Sequence, residues 1–415
     1  MNRRTLIRWL GEGLALGAGS GLAMAATSAV QVGNSTQPTD QQSDSSSSKS
    51  IRLFLCGDLM TGRGIDQILP HPGRPNLYEP YVRDARDYVA LAEAANGPLR
   101  RPVDFGYIWG DVLAVLAEFA ADLRIANLET SITDSEDYWR GKGINYRMHP
   151  ANTRCLTAAS LDCCVLANNH LLDWGYAGLS DTLTALAQAG IAHCGAGEKL
   201  SQAQQPAVFT LKNGHRVLVF SLGSGSSGIP PEWAANEQRP GVWRVTEQPP
   251  DWLASFASQA KAIKKPGDIL LCSIHWGGNW GYPIPDYRRW LAHRLIDLAG
   301  VDIVHGHSSH HPLGIERYRD RLILYGCGDL LNDYEGIGGH RQFRSDLALL
   351  YLVDLDAASG RLQGLMMVPM QIRRMQLRHA RPRDARWLRD TLDRESRKLD
   401  SGVRLGPDDR LMLEC

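Results

Sequence analysis

Short apolar runs, each followed at once by polar residues, recur along most of the chain. The runs are apolar and have the length of buried strands, so each predicts one β-strand. The predicted strands cover residues 51–56, 122–126, 162–167, 217–222, 242–245, 268–274, 301–304, 322–326, 347–355 and 362–368. Polar residues that follow a strand are a common place for an active site in α/β proteins.

Several segments between these strands have the spacing of amphipathic helices. They predict helices at residues 110–121, 178–189 and 287–298. The last helix is expected to carry four residues on its apolar side, namely Trp290, Leu291, Leu295 and Leu298. Residues 71–110 are rich in proline, tyrosine and glycine and show little periodicity, which predicts a long loop.

The C-terminal segment is rich in arginine from Arg373 onward. Acidic residues alternate with basic ones between Asp384 and Lys398. Interleaved charges of both signs are typical of a surface helix with ion pairs between its turns. We therefore predict such a helix there, in preference to a nucleic-acid patch.

The first residues have the features of an export signal. Arg3 and Arg4 give a basic start, a moderately apolar stretch follows, and Ala23-Met24-Ala25 fits a cleavage site. We predict a twin-arginine-like export signal at residues 1–30, a disordered linker rich in serine at 31–50, and the folded domain at 51–415. The expected location is periplasmic or otherwise extracytoplasmic, and attachment to the membrane through the N-terminus stays an open alternative.

Composition narrows the class of protein. The chain has 415 residues, and 45 lysines and arginines balance 45 aspartates and glutamates, which gives no reason to expect a nucleic-acid partner. The eight cysteines form no CxxC pair. Five of them lie inside apolar runs and are interpreted as core thiols: Cys56, Cys163, Cys164, Cys272 and Cys327.

Five predicted strands are followed by side chains that can bind metals. These residues are Asp58, Glu129, Asn169 with His170 and Asp173, His275, and His307 with His310 in a stretch of four histidines. Each has a structural alternative: a helix cap for Asp58, a turn for Asn168 and Asn169, a core histidine for His275, and a polar loop for residues 305–311.

Carboxylate, amide oxygen and imidazole together suit manganese, iron or zinc. A bridging carboxylate with histidines on either side is the usual plan of a hydrolase that uses two divalent ions. The glycines after Asp58 do not form a P-loop, because no Gly-Lys-Ser/Thr follows them.

The order of these motifs resembles a known family. Gly-Asp, Asn-x-Glu, Asn-Asn-His-x-x-Asp-x-Gly, His-Trp-Gly and Gly-His-x-x-His follow one another as in the CapA family of capsule-synthesis proteins. That family belongs to the calcineurin-like metallophosphoesterase superfamily and is named for poly-γ-glutamate capsule production. The resemblance implies an α/β fold, a four-layer α/β/β/α sandwich with its site at the strand ends.

The resemblance also implies a role for each residue. One or two divalent ions (Mn, Fe or Zn) would share Glu129 as the bridging carboxylate. Asn169, His275 and His307 would complete one position, and Asp58 and His310 the other. His170 would be the general acid, oriented by Asp173. Arg63 would neutralise an anionic substrate or developing charge.

The chain departs from the superfamily pattern at three points. Met60 stands where most metallophosphoesterases have a histidine, two residues separate His307 from His310 where one is usual, and Asp329 follows Gly328 where the family often has asparagine. A thioether is a poor ligand for manganese or iron. One metal position is therefore expected to be weak, differently ligated or empty, and Asp329 could add charge there or cap a turn.

Two functions of different classes follow. The first is a metal-dependent hydrolase or transferase acting on an envelope polymer or a phosphoester, in contact with an anionic polymer and with membrane capsule-synthesis machinery. The second is a non-catalytic assembly factor of capsule synthesis whose pocket binds an anionic polymer. A cytoplasmic phosphatase with a misleading N-terminus is a third hypothesis.

Overall fold

The structure is a computed structural model that describes Ser50–Glu414. The predicted export signal and all of the predicted linker except Ser50 lie outside the described residues. Ser50 is the first residue of the first strand.

The strands are, in chain order, β1 (Ser50–Leu59), β2 (Leu123–Leu128), β3 (Ser131–Ile132), β4 (Arg147–Met148), β5 (Cys163–Val165), β6 (Ala192–Cys194), β7 (Ala196–Gly197), β8 (Ala207–Thr210), β9 (Arg216–Ser224), β10 (Gly241–Val242), β11 (Arg244–Val245), β12 (Ile269–His275), β13 (Ile303–His307), β14 (Ile315–Tyr318), β15 (Arg321–Leu324), β16 (Asp329–Leu331), β17 (Leu347–Asp356), β18 (Leu362–Ile372), β19 (Leu377–His379), β20 (Gly402–Leu405) and β21 (Leu411–Glu414). The α-helices are α1 (Arg86–Asn96), α2 (Val112–Phe119), α3 (Arg154–Ala158), α4 (Gly175–Gln188), α5 (Leu200–Ala203), α6 (Leu253–Ile263), α7 (Asp286–Ala299) and α8 (Pro382–Arg397).

Two large sheets form the centre of the fold. The first has ten strands in the order β20-β21-β18-β17-β1-β2-β5-β6, with β16 beside β1 and β19 beside β18. The second has seven strands in the order β11-β9-β12-β13-β15-β14, with β8 beside β9. In the first sheet, parallel pairing joins β16 to β1, β1 to β2 and β2 to β5. In the second sheet, it joins β9 to β12, β12 to β13 and β13 to β15. The carboxyl ends of these strands therefore share one edge of each sheet.

Alternation along the strands divides the core into layers. In β1, Leu53 and Leu55 face the second sheet, whereas Phe54 and Cys56 face the helices. Helices α1, α2 and α4 cover the outer face of the first sheet, and α6 and α7 cover the second. The predicted four-layer α/β/β/α sandwich is confirmed. Successive side chains of a strand point to opposite faces, so each sheet buries one face against the other sheet and one against helices.

Most of the predicted elements are present, and three predictions were wrong. The loop predicted at 71–110 contains α1, whose buried residues are Tyr88, Val89 and Ala92. The strand predicted at 242–245 is two short strands in different sheets, since β10 pairs with β7 and β11 with β9. In α7, Trp290 and Leu298 are exposed.

The stripe that α7 buries is displaced around the helix from the predicted one. It consists of Leu291, Ala292, Leu295, Ile296 and Ala299, at the three- and four-residue spacing of a single face. The cysteine prediction is confirmed, because all seven described cysteines are free and buried. None of the helices within Ser50–Glu414 is both long and apolar enough to cross a bilayer.

The C-terminal helix α8 carries the predicted ion pairs, such as Arg397 with Asp393 at 3.1 Å. It also has a fully buried face, because Leu388 and Leu392 join the core between the two sheets. The helix is therefore amphipathic and packs against strands of both sheets, β20 of the first and β14 of the second.

Candidate metal centre

Four strands, two from each sheet, bring four of the predicted ligands to one place. Asp58 lies at the end of β1, and Glu129 is the residue after β2. His275 and His307 are the last residues of β12 and β13 and are direct partners in the strand register. The apolar core between the two sheets ends at these positions. The polar side chains that follow it point in the same inward direction as the core residues before them.

Alternation explains the inward direction of the histidines. Ile303 belongs to the core between the sheets, and His305 and His307 follow it at two-residue intervals in β13. His305 accordingly points at the first sheet, where its Nε2 lies 2.9 Å from the carbonyl oxygen of Cys56. This histidine connects the two sheets and is not one of the predicted ligands.

A first group of possible ligands consists of Asp58, His275 and His307, whose ligand atoms all lie within 4.8 Å of one another. All three side chains are fully buried. The two Nδ1 atoms of the histidines are 2.6 Å apart, and Asn169 Oδ1 lies 2.9 Å from His275 Nε2. Buried imidazole and carboxylate groups in this arrangement fit a divalent metal ion.

A second group shares Asp58 with the first. It consists of Asp58, His310 and Asp329, again within 4.8 Å. Asp329 Oδ1 lies 2.9 Å from His310 Nδ1, and Asp58 and Asp329 are direct partners on the parallel strands β1 and β16. The close approach depends on glycine, because a Cβ on Gly57 would stand 1.8 Å from the carbonyl oxygen of Gly328.

Glu129 lies between the first group and His170. Its Oε1 is 3.8 Å from His275 Nε2 and 3.6 Å from His170 Nε2. Its Oε2 is buried and accepts no N–H or O–H hydrogen bond within the described structure, and the Glu129 side chain lies against the carboxyl of Asp58. Since an unpaired buried carboxylate oxygen is costly, this atom has the character of a ligand.

The electrostatics of the centre also fit a cation. Burial, with Asp329 nearby, raises the pKa of Asp58 to about 7. Burial and Asp58 likewise raise the pKa of Glu129 well above its usual range. Burial lowers the pKa of His275 and of His307 well below the usual value. A divalent cation would stabilise the crowded carboxylates and takes imidazole in its neutral form.

His170 is held by two groups of opposite charge. Its Nδ1 lies 2.6 Å from Asp173 Oδ2 and 3.0 Å from Lys142 Nζ, and Lys142 Nζ is also 2.7 Å from Asp173 Oδ1. The other ring nitrogen, Nε2, faces Glu129. Burial lowers the pKa of His170 to about 4. The sequence contained no signal for Lys142, which lies in a loop 28 residues before His170.

Arg63 is placed differently from a substrate-binding arginine. Its Nη1 donates to Glu79 Oε1 at 2.9 Å, its Nε donates to Asp333 Oδ2 at 3.1 Å, and its Nη2 also pairs with Asp333. The side chain is buried and lies against the ring of Tyr88. The carboxylates of Glu79 and Asp333 already neutralise this guanidinium. The predicted role of Arg63 toward a substrate stays a prediction.

Met60 is buried beside the second group. Its Sδ lies 3.7 Å from the hydroxyl of Tyr334, whose ring meets the ring of His310 edge-on at 5.6 Å. The thioether thus occupies a position close to the possible ligands. The structure places Asp329 beside Asp58. The sequence had left two interpretations of Asp329 open, an added charge near the site or the cap of a turn.

A family model described as bacterial capsule synthesis protein PGA_cap matches residues 52–334. A probable polyglutamine synthesis accessory protein of Mycobacterium tuberculosis is 51% identical over 362 residues, which cover 87% of this chain and 95% of that protein. The PGA biosynthesis protein CapA of Bacillus subtilis is 28% identical over 291 residues, 68% of this chain and 63% of that protein.

Among solved structures, the NAD nucleotidase of Haemophilus influenzae aligns with a TM-score of 0.42 and 12% identity, over 85% of this chain and 58% of that chain. This likeness is too partial to support an inference about activity.

Proposed function

Because the chain belongs to the bacterial capsule synthesis family PGA_cap, we propose that it is a metal-dependent hydrolase or transferase acting on a capsule polymer or its precursor outside the cytoplasm. The observation that carries this proposal is the buried centre itself. Three carboxylates and three histidines converge there, and within the described residues one buried carboxylate oxygen of Glu129 accepts no N–H or O–H hydrogen bond while its side chain crowds the carboxyl of Asp58. Such a cluster has little value for stability unless it binds something.

The described residues would hold two ions. Asp58, His275 and His307 would bind the first, with Asn169 beside them, and Asp58, His310 and Asp329 would bind the second. Glu129 would complete the first position or bridge the two. Nitrogen and oxygen donors of this kind suit manganese, iron or zinc. When bound, such ions activate a water molecule and polarise the bond that is broken.

The protein side chains would manage the proton. His170 Nε2 faces the centre, whereas Nδ1 is held by Asp173, so Nε2 is the atom that would deliver a proton to the leaving group. Asp173 fixes the orientation of the ring through its 2.6 Å contact. Lys142, in contact with both residues, would hold Asp173 in place.

The bond is either a phosphoester or an amide. The metallophosphoesterase fold suggests the first, and the names of the relatives, which refer to polyglutamine and PGA synthesis, suggest the second. We give the amide precedence, because the relative with 51% identity covers nearly the whole described domain. Fold alone does not decide the substrate.

The test begins with metal content. We expect close to two Mn, Fe or Zn ions in each purified full-length protein, and loss of metal in Glu129→Ala. Phosphoesters and γ-glutamyl amides would then be screened for turnover. His170→Ala should keep the metal and lose turnover; parallel loss of metal would mean that His170 is a ligand and not the acid.

The second candidate function is a non-catalytic assembly factor. It is favoured by Met60 near the centre and by the word accessory in the name of the mycobacterial relative. Simultaneous replacement of Asp58, Glu129 and His307 separates the two functions. Capsule formation that survives in a variant without metal would establish the assembly factor and reject the enzyme.

A further inference from the structure

The guanidinium of Arg63 lies at the centre of a buried network that the proposed mechanism does not yet use. Besides its bond to Glu79, Nη1 donates to the Tyr88 hydroxyl at 3.0 Å, while Nε and Nη2 both donate to Asp333. These four contacts use four of the five N–H donors of an arginine. The residue is only 3% exposed. The group is therefore committed to partners inside the protein.

The backbone at Arg63 is held in a conformation that is uncommon for a residue with a side chain. Its φ is +51°, in the left-handed region. On one side, Gly62 packs so closely on β4 that a Cβ would stand 2.7 Å from the backbone nitrogen of Arg147. On the other side, the N–H of Gly64 donates to Asp333 Oδ2 at 3.0 Å. Such a conformation persists only where the surroundings fix it, so the fold determines the direction of this side chain.

Three tyrosine rings surround the guanidinium of Arg63. Its carbon atom Cζ lies 3.9 Å from the centre of the Tyr88 ring, 4.3 Å from that of Tyr146 and 6.0 Å from that of Tyr334. A planar guanidinium is attracted to the face of an aromatic ring at these distances and stacks on it. The Tyr146 ring therefore has a flat, fixed partner.

Tyr146 connects this network to the proposed acid. Its ring meets the ring of His170 edge-on, with the two centres 4.6 Å apart and an angle of 82° between the planes. Its backbone N–H donates at 2.6 Å to Asp173 Oδ2, the same oxygen that lies 2.6 Å from His170 Nδ1. Trp174 Nε1 donates to its carbonyl oxygen at 3.1 Å. One residue thus contacts both the imidazole that would transfer the proton and the carboxylate that orients it.

The hydroxyl of Tyr146 extends the network toward the second group of ligands. It lies 3.2 Å from the hydroxyl of Tyr334, whose ring meets the ring of His310 edge-on at 5.6 Å. The position of the Tyr146 ring therefore affects the packing on both sides of the centre.

We propose that Arg63 is a positioning residue, which fixes the Tyr146 ring against His170 and thereby holds Nε2 of that imidazole toward Glu129. This role rests on the proposed function, in which His170 is the acid. It competes with the predicted role of Arg63 toward an anionic substrate, for which one N–H donor would remain within the described residues. Without the guanidinium, the Tyr146 ring would lose the group that stacks on it, and the imidazole would lose one fixed wall.

Histidine-ring NMR spectra of the full-length protein, recorded in the presence of zinc, test the proposal without any turnover. An aromatic ring shifts the resonances of the protons beside it, so the His170 signal reports the position of the Tyr146 ring. The signal is assigned by its absence from His170→Gln. Tyr146→Leu gives the position of the signal when the ring is missing.

The decisive variant combines Arg63→Met with Asp333→Asn. The net charge is unchanged, and Glu79 keeps the hydrogen bond of 2.5 Å from the Tyr88 hydroxyl. We expect the His170 signal to move most of the way to its position in Tyr146→Leu, and a signal at the wild-type position would overturn the proposal. If the double variant does not fold, Arg63→Lys decides by the same two outcomes, because lysine keeps the charge and lacks the planar group.

Arg289→Met is the matched control for a general loss of stability. Arg289 lies on α7 and pairs at 2.8 Å with the buried carboxylate of Glu316, so its replacement also leaves a buried acid with one partner fewer. The His170 signal should stay at the wild-type position in this variant. An equal shift would mean that the signal reports loosening of the whole fold and would refute a specific role of Arg63.

Turnover separates failure of this proposal from failure of the proposed function. If the wild type turns over a substrate, the double variant should lower kcat about 10- to 100-fold and leave KM near the wild-type value, because a misplaced acid affects the chemical step. A raised KM with unchanged kcat would assign Arg63 to substrate binding and reject the positioning role. If the wild type turns over nothing, the proposed function fails, and the NMR result still decides whether Arg63 positions Tyr146 against His170.

Discussion

Replacing Asp329 with asparagine is the sharpest test of the second metal position. Asp329 and Asp58 offer ligand atoms within 4.8 Å of each other. At that distance and an effective dielectric constant near 20, two negative charges repel by about 3 kcal/mol, which a shared divalent ion would turn into attraction. Asparagine keeps the shape and removes the charge.

The expected loss of affinity depends on whether Asp329 binds the ion or only orients His310. Loss of a group that merely supports a ligand lowers metal affinity about 10- to 100-fold. We expect Asp329→Asn to lower the metal affinity of the second site by more than this range and to leave the first site occupied. An ion present at 100 times its dissociation constant stabilises the fold by about 2.7 kcal/mol, and a 100-fold weaker site retains about 0.4 kcal/mol of this.

The assay combines metal analysis after dialysis with thermal unfolding at increasing metal concentration. Asp354→Asn is the control, because it removes one half-exposed carboxylate that faces Arg52, away from the centre. We also expect Met60→His, combined with Asp329→Asn, to restore the second ion, since residue 60 contacts Tyr334, whose ring meets His310. Two ions bound to Asp329→Asn with near-normal affinity would refute the assignment of Asp329 as a ligand.

Three further predictions concern other parts of the molecule. Lys142→Met should lower turnover at least tenfold while metal content stays normal, because the ammonium group supports Asp173 and His170 and not the ligands; unchanged turnover with Lys142→Met would exclude this role. Leu291→Ala should lower the free energy of unfolding in urea by about 3 kcal/mol, whereas Trp290→Ala should change it by less than about 1 kcal/mol, and similar values would contradict the buried stripe of α7. Because the pKa of Asp58 is about 7 and the metal requires its ionised form, metal affinity should fall by up to about tenfold for each pH unit below 7, and an affinity independent of pH between 6 and 8 would reject that pKa.

The sequence predicted most strands from local patterns, the layered fold through the family resemblance, and most of the side chains that the structure brings together at the candidate metal centre. Strands and helices are recognised from local periodicity, and a strand that buries both faces leaves a continuous apolar run. The residue after such a run lies at the carboxyl end of its strand, whatever the order of the strands in the sheet. Asp58, Glu129 and His275 could therefore be found without knowledge of the pairing.

Tertiary structure decided which of these side chains share a position. Asp58 belongs to both ligand groups because β1 pairs with β16, which brings Asp329 beside Asp58 across 271 positions, while His275 and His307 approach from the second sheet. Arg63 pairs with Asp333 across a similar separation, and Lys142 reaches His170 from an irregular loop. The buried face of α7 likewise depends on where the second sheet lies. Periodicity describes how a segment presents its own side chains, but the partner that meets them is determined by long-range packing, which leaves no local pattern in the chain.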